Sequence, residues 1–241
     1  MVRFGYQDAI VAEFPAIRAG VVHASALVNG PSPAALGAEY EAEQRAVAER
    51  LARIPIAELP SIAAWRRVFA RFGAKPTQYR SAAEALLRRL AKHGDIPPIN
   101  LLVDIGNLVS IRYAMPVAVV DLAFVTGAIT VQFATGDEQF TDLGSAASAH
   151  PQPGEVIFAD EAGQVSARRW CWRQSARSAT TDSTADALFI VEGQHDEAAA
   201  DVQAATDDIV ALLGRYQQES LVDLPTIHTV ARCGLSQDRE G

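Results

Sequence analysis

The segment Arg168-Arg-Trp-Cys-Trp-Arg-Gln-Ser-Ala-Arg177 interleaves guanidinium groups with two indoles. Flat aromatic faces and fork-shaped cationic donors are the groups that hold an unpaired base or an aromatic ligand, by stacking and by charge-assisted hydrogen bonds. Read as a strand, it sets Trp170 and Trp172 on one face and Arg169, Cys171 and Arg173 on the other. The same residues also suit a tryptophan pair packed in a core with arginine stems laid over it, so both uses stay open. The run that follows, Gln174 to Thr184, is rich in hydroxyl groups and either lines a polar pocket or forms a loop. A second segment, Asn100 to Asp121, sets Asn100, Asp104 and Asn107 in an apolar context. Buried polar side chains need partners, so these three either fix a turn or face a cavity.

Familiar chemical signatures are missing. The sequence has no GxxxxGK[ST], GxSxG, HExxH or GxGxxG, which removes the usual support for P-loop hydrolysis, serine hydrolase chemistry and dinucleotide binding. His23, His93, His150, His195 and His228 are scattered without ligand spacing, and Cys171 and Cys233 form no CxxC. No metal, no cofactor and no disulfide framework is therefore expected, and a reducing cytoplasm fits best. No stretch approaches the roughly 18 uncharged apolar residues of a membrane span, and Asp8, Glu13 and Arg18 interrupt the first apolar runs, so neither a leader nor a membrane anchor is expected.

The elements that must position these groups can be read from periodicity and punctuation. Val21–Val28 reads as a strand ended by Asn29-Gly30-Pro31, and Pro33 to Arg53 as a helix that Pro55 and Pro60 break. Ser61 is placed to cap a short helix carrying Trp65, Val68, Phe69 and Phe72. Ser81 and Glu84 form a capping box before a stripe of Ala83, Leu86, Leu87, Leu90 and Ala91. Asn100 to Asp121 is too long for one strand and predicts a helix buried through Leu102, Ile105, Leu108 and Val109, then a turn at Met115-Pro116 and a strand. Ile129–Phe133, Glu155–Phe158 and Ala187–Val191 read as strands, and Glu197 to Tyr216 as a last helix; no pattern is evident past Leu224. Together these predict one compact α/β unit of the α+β kind over residues 1–235, with a mixed or antiparallel sheet flanked by helices, and a loose tail at 236–241.

Charge is unevenly spread along the 241 residues. The net charge of −8 speaks against indiscriminate nucleic-acid binding, yet Trp65 to Lys92 holds eight basic residues against one acid, Glu84. Asp182 to Asp223 holds ten acids and one arginine. The basic run is either a polyanion-binding face or a solvated surface, and Arg88, Arg89 and Lys92 also suit the C-terminal end of a helix dipole.

Asn100-Leu-Leu-Val-Asp-Ile-Gly-Asn107, Met115-Pro116, Asp121, Pro153-Gly-Glu-Val-Ile-Phe-Ala-Asp160, Thr184 and Ala187-Leu-Phe189, in that order, resemble the editing module formed by the third and fourth domains of the phenylalanyl-tRNA synthetase β subunit. Free-standing relatives of that module are similar in patterns like Lys75-Pro-x-x-Tyr-Arg-Ser81, Asn107-Leu-Val-Ser-Ile-Arg-Tyr113 and Arg169-Trp-x-Trp-Arg-Gln-Ser175. The likeness runs from about Trp65 to Gly193. It implies an α+β fold like that module, hydrolysis of a wrong aminoacyl ester in trans, tRNA as partner, and none of the synthetase's ATP chemistry. Asn107 pairs with the module's asparagine, whereas Gly106 stands at its threonine, Ala118 at its histidine and Ala176 at the glutamate that reads the tyrosine hydroxyl, so tyrosine selectivity is expected to be weak.

On that resemblance Asn107, Arg173 and Ser175 are the candidate catalytic residues, with Asn107 orienting water or the ester carbonyl. Asn100, Asp104, Trp170, Trp172, Gln174, Thr180 and Thr181 are candidates for substrate binding, and Lys75, Tyr79, Arg80, Arg88 and Arg89 for tRNA contact. The polar residues of the two segments are expected to converge on one cavity. A non-catalytic tRNA- or RNA-binding module, or a binder of a small amino-acid-like ligand, are the competing expectations. Oligomeric state is not legible.

Overall fold

The computed structural model describes residues 4–144, 147–217, 220–223 and 226–229. In chain order they form β1 (Phe4–Tyr6), α1 (Asp8–Glu13), β2 (Arg18–Ser25), α2 (Ala34–Leu51), α3 (Pro60–Arg71), α4 (Ala82–His93), α5 (Leu101–Tyr113), β3 (Val117–Asp121) and β4 (Ile129–Phe133). There follow β5 (Phe140–Thr141), β6 (Ser148–Ala149), β7 (Val156–Ala159), β8 (Val165–Arg168), β9 (Arg173–Gln174), β10 (Asp186–Gly193), α6 (Ala198–Tyr216), β11 (Leu221–Val222) and β12 (Thr226–Thr229). The fold class is α+β. Its strands divide into two main sheets, one ordered β1-β4-β7-β8-β9 and the other β11-β2-β10-β3, while β5 and β6 form a small ribbon. All pairings are antiparallel except that of β1 with β4.

The second sheet is buried on both faces, which explains why Ala187–Val191 is an unbroken apolar run. Alternate side chains of a strand point to opposite faces. Along β10, Ala187, Phe189 and Val191 pack with α2, α4, α5 and α6, whereas Leu188 and Ile190 face the first sheet together with α1 and α3. Close packing at these layers leaves no room for a side chain at Gly20 or Gly106. A Cβ on Gly20 of β2 would come within 2.5 Å of Thr206 on α6, and one on Gly106 of α5 within 2.7 Å of Val119 on β3.

Caps follow the sequence in part. Ser81 Oγ accepts from the Glu84 amide at 3.2 Å and Asn100 Oδ1 from the Val103 amide at 3.0 Å, so α4 and α5 start as expected. The Glu84 side chain instead is buried and receives Arg66 at 2.7 Å and Arg88 at 2.8 Å. Ser61 is not a cap: α3 begins two residues earlier than such a cap would set, at Pro60, because proline suits the first helical position, and Leu59 occupies the cap position. Trp170 to Ser175 is not a continuous strand either. Arg169 and Trp170 have φ of 44° and 61°, which turns the chain, and only Arg173–Gln174 pairs with β8. Past Leu224 the chain does hold a pattern, since β12 adds to β2 at Arg18–Val21. Cys233 and the tail 236–241 lie outside the described residues. No helix among the described residues is long and apolar enough to cross a membrane.

Candidate functional site

The turn at Arg169-Trp170 sends neighbouring side chains in opposite directions. Trp170 is fully buried against Trp65 at 5.3 Å and Phe14 at 5.0 Å between ring centroids, both edge to face. Its indole is therefore core, and it also lines the cavity described next. Trp172 is half-buried in a stack of aromatic and cationic groups. Tyr79 meets it edge-on at 5.0 Å, Arg169 lies 4.0 Å over Tyr79 and 4.6 Å over Trp172, and Arg173 covers Trp172 at 4.6 Å. Arg168 is held apart from this stack by a two-pronged pair with Glu155, both contacts at 2.9 Å. Burial alone would raise the Glu155 carboxyl, but Arg168 and Arg169 hold it below the ordinary carboxylate range.

Behind Trp172 a cavity of about 60 Å³ lies between the sheets. Pro116, Ala118, Phe158, Ala167 and Ile190 give it apolar walls, and Trp172, Arg173 and Gln174 stand at its lining on the side of the stack. Its one carboxylate is Glu192, at the position on β10 where the alternation of Leu188 and Ile190 would place another apolar residue. Glu192 is 2% exposed. Tyr6 donates to its Oε1 at 2.5 Å and Trp170 Nε1 to the same oxygen at 2.9 Å, which leaves Oε2 for the cavity. Burial pushes this carboxyl up to about 7, against the pull of the two donors. Burial and the nearby Glu192 push the Cys171 thiol well above its ordinary value, so the cavity presents a thiol and not a thiolate nucleophile.

The remaining expected residues fall into separate groups. Asn100, Asp104 and Asn107 recur at helical spacing on one stripe of α5 and do not line the cavity. Asp104 accepts from Ser32 Oγ at 2.5 Å and the Ile99 amide at 2.9 Å, Asn107 stands beside the Tyr40 hydroxyl, and Asn100 meets Thr180 at 3.2 Å. The stripe faces α2 and the 29–32 loop because successive helical residues are about 100° apart, and it is Gly106 that faces β3. The expected residues thus fall into separate groups, and Asn107 does not line the cavity that Arg173 lines. Thr180 and Thr181 belong with Asn100, and Thr181 gives its carbonyl to Asn29 Nδ2 at 2.8 Å. Ser175 is fully buried and donates to the Thr141 carbonyl at 3.1 Å. Gln174 does line the cavity, its amide fixed by the carbonyls of Val119 and Ser178, both at 2.8 Å, and Arg173 pairs with Asp142 at 2.6 Å.

The 75–80 loop and α4 carry a run of positive charge. Lys75 is exposed and has no carboxylate partner among the described residues. Arg66, Arg80 and Arg88 share the single carboxylate of Glu84, with Arg80 at 4.0 Å, and Arg89 lies 3.9 Å from Asp95. The Ala82 amide at the start of α4 donates to the Cys171 carbonyl at 2.8 Å, which ties this basic helix to the 169–172 turn. A more open groove of about 380 Å³, lined by Phe72, Tyr79, Gln152, Pro153, Glu155 and Arg169, runs beside the stack. Glu192 and Tyr6 were not candidates from the sequence. The signal for Glu192 was an acid set directly after the apolar run Ala187–Val191; Tyr6 carried none.

Fold and site define an α+β module that sets a cationic stacking surface beside a cavity floored by one buried carboxyl. Residues 64–213 match the B3/4 domain, and the chain belongs to that family, a domain found in the phenylalanyl-tRNA synthetase β subunit. Among solved structures, an N-terminal fragment of the phenylalanyl-tRNA synthetase β subunit from Pyrococcus horikoshii is similar, at 11% identity and a TM-score of 0.46. The match covers 94% of this chain and 54% of the fragment, so the chain spans about half the length of that fragment. No curated protein matches by sequence.

Proposed function

We propose that this chain acts in trans on aminoacyl-tRNA and cleaves a wrongly attached aminoacyl ester. The observation that carries the reading is the Glu192 carboxyl, buried, ionising near neutrality and turned toward a cavity beside the Tyr79–Arg169–Trp172–Arg173 stack. The cavity has room for ordered water beside the Glu192 carboxyl. The ester then lies at the mouth, over Trp172. Water in the cavity gives its proton to the Glu192 carboxylate as its oxygen bonds to the ester carbonyl carbon, Arg173 stabilises the developing oxyanion, and the proton passes to the departing tRNA hydroxyl. The stack takes an unpaired terminal nucleotide, and Lys75, Arg80, Arg88 and Arg89 supply phosphate contacts.

The test is release of amino acid from a panel of mischarged tRNAs. Glu192→Gln is expected to slow release by about 100-fold or more, the scale of general-base catalysis, with tRNA affinity retained. Asn107→Ala is expected to leave release unchanged, since Asn107 lies outside the cavity. A second reading, tRNA binding without hydrolysis, is favoured by Arg173 being tied to Asp142. Tight, salt-sensitive binding with no release from any mischarged tRNA would select it.

A further inference from the structure

Arg169 carries a charge that its surroundings do not use up. Its guanidinium lies 4.0 Å over the Tyr79 ring and 4.6 Å over that of Trp172, and stacking of this kind occupies the flat face while the N–H groups point outward in the plane. No acceptor among the described residues takes a hydrogen bond from those N–H groups. Glu155 is the one carboxylate within ion-pair distance among the described residues, and its Oε2 is 3.6 Å away. Both Glu155 oxygens already accept elsewhere, Oε1 from Arg168 Nε at 2.9 Å and the Arg169 amide at 3.1 Å, and Oε2 from Arg168 Nη2 at 2.9 Å. Two arginines against one carboxylate leave one positive charge over. The Nε atoms of Arg50 and Arg80 are unpaired but sealed from solvent, whereas no nitrogen of the Arg169 side chain is sealed in that way.

Arg169 lines the open groove beside the stack, with Phe72, Tyr79, Gln152, Pro153 and Gly154, and it does not line the Glu192 cavity. Glu155 is the only acid on the groove's lining, and Lys75, exposed and without a carboxylate partner among the described residues, follows the lining residue Ala74. A Cβ added at Gly73 or Gly154 would meet nothing within 4 Å, so the backbone there leaves the groove clear. An anion suits such a lining, and a cation would meet Arg169. The single surplus charge matches a singly charged group, and an open groove lets a chain continue on both sides of it. A phosphodiester has both properties; a phosphate monoester carries more charge and ends its chain.

We propose that the groove is a phosphodiester subsite, in which two N–H groups of Arg169 hold the internucleotide phosphate next to the nucleotide that the stack takes. The chain then recognises at least two unpaired nucleotides of an RNA 3′ end. This subsite rests on the tRNA reading above, and adds to it a minimum length and a charge requirement at one linkage.

The affinity of the full chain for the trinucleotide cytidylyl-cytidylyl-adenosine is measured by calorimetry, with natural linkages and with a neutral methylphosphonate replacing each linkage in turn. One of the two replacements is expected to weaken binding about ten-fold or more, the worth of a hydrogen bond to a charged group, and the other much less. Arg169→Gln is expected to weaken binding of the natural trinucleotide by a similar factor and to bind the sensitive methylphosphonate no more weakly than the natural form. The ligand change needs no change in the protein, so that arm does not depend on how well the variant folds. Adenosine monophosphate, the free-nucleotide source of the same group, lacks the second nucleoside and is expected to bind about ten-fold more weakly than the trinucleotide. Equal binding of all linkage forms by the parent chain, undiminished sensitivity in Arg169→Gln, or adenosine monophosphate binding as tightly as the trinucleotide would each overturn the subsite. No binding of the trinucleotide at millimolar concentration would overturn it together with the tRNA reading. Linkage-sensitive binding without release from any mischarged tRNA would instead support the subsite and remove ester cleavage.

Discussion

Replacing Glu192 by glutamine isolates the cost of its charge. A glutamine Oε1 still accepts from Tyr6 and Trp170, and its amide group takes the cavity side, so shape and hydrogen bonds persist. What disappears is a titration. The Glu192 carboxyl is raised from 4.5 to about 7 in the folded chain. Below 4.5 it is neutral in folded and unfolded states alike; between 4.5 and about 7 the unfolded state loses its proton first, so folding stability falls as pH rises. Above about 7 both states are ionised and the loss is complete, at roughly 3 kcal/mol for a shift of this size. Glu192→Gln is therefore expected to match the parent chain near pH 4.5 and to exceed its stability by up to about 3 kcal/mol at pH 8, or about 6–12 °C in Tm. Urea unfolding of both proteins across that range measures the difference directly. A difference that does not change between pH 4.5 and pH 8 would refute the assignment of a raised carboxyl to this cavity.

Trp172→Ala is expected to weaken tRNA binding by about 1–3 kcal/mol, the worth of one stacked base, in a filter or anisotropy assay, with a melting curve separating that loss from a loss of folding, since the ring is half-buried against the core. Arg88→Ala with Arg89→Ala should lower the slope of log affinity against log salt by up to about 2 if both reach phosphates, and an unchanged slope would leave them as solvated surface. Gly106→Thr, the residue of the synthetase pattern, should cost about 1–3 kcal/mol in unfolding experiments because its Cβ would press on Val119. Ser81→Ala removes the α4 cap and should cost about 1 kcal/mol by the same measurement.

The parts of the fold that were legible in sequence are those that local chemistry decides. Ser81 announced its helix because a cap acts within three residues, the helix after Asn100 showed in its apolar spacing, and the strands at Ile129, Val156 and Ala187 announced themselves by β-rich apolar runs. The division into two sheets was not legible, since strand pairing joins residues as distant as Phe4 and Ile129. The 168–177 segment misled because Arg-Trp-Cys-Trp-Arg alternates like a strand, while tertiary packing of Trp170 beside Trp65 holds Arg169 and Trp170 in a turn. Asn107 misled differently: its neighbour Gly106 faces β3, and one step along a helix rotates the side chain toward α2. Glu192 escaped notice because a single acid at a strand end normally marks the surface, and only the overlying first sheet buries it.

Two consecutive residues with left-handed backbone angles, Arg169 and Trp170, carry long side chains where glycine would be at ease. Each such residue costs of order 1 kcal/mol or more, so this dipeptide is held against its own conformational preference by what its side chains touch. A screen for heat resistance would therefore reward glycine here only on the backbone's account. Glycine at 169 takes away the cation lying over Tyr79 and Trp172, and glycine at 170 empties the space beside Trp65 and removes one donor to Glu192. Mutational tolerance at these adjacent positions should consequently diverge: 170 fails in any selection for folding, whereas 169 passes that selection and fails only one for ligand capture.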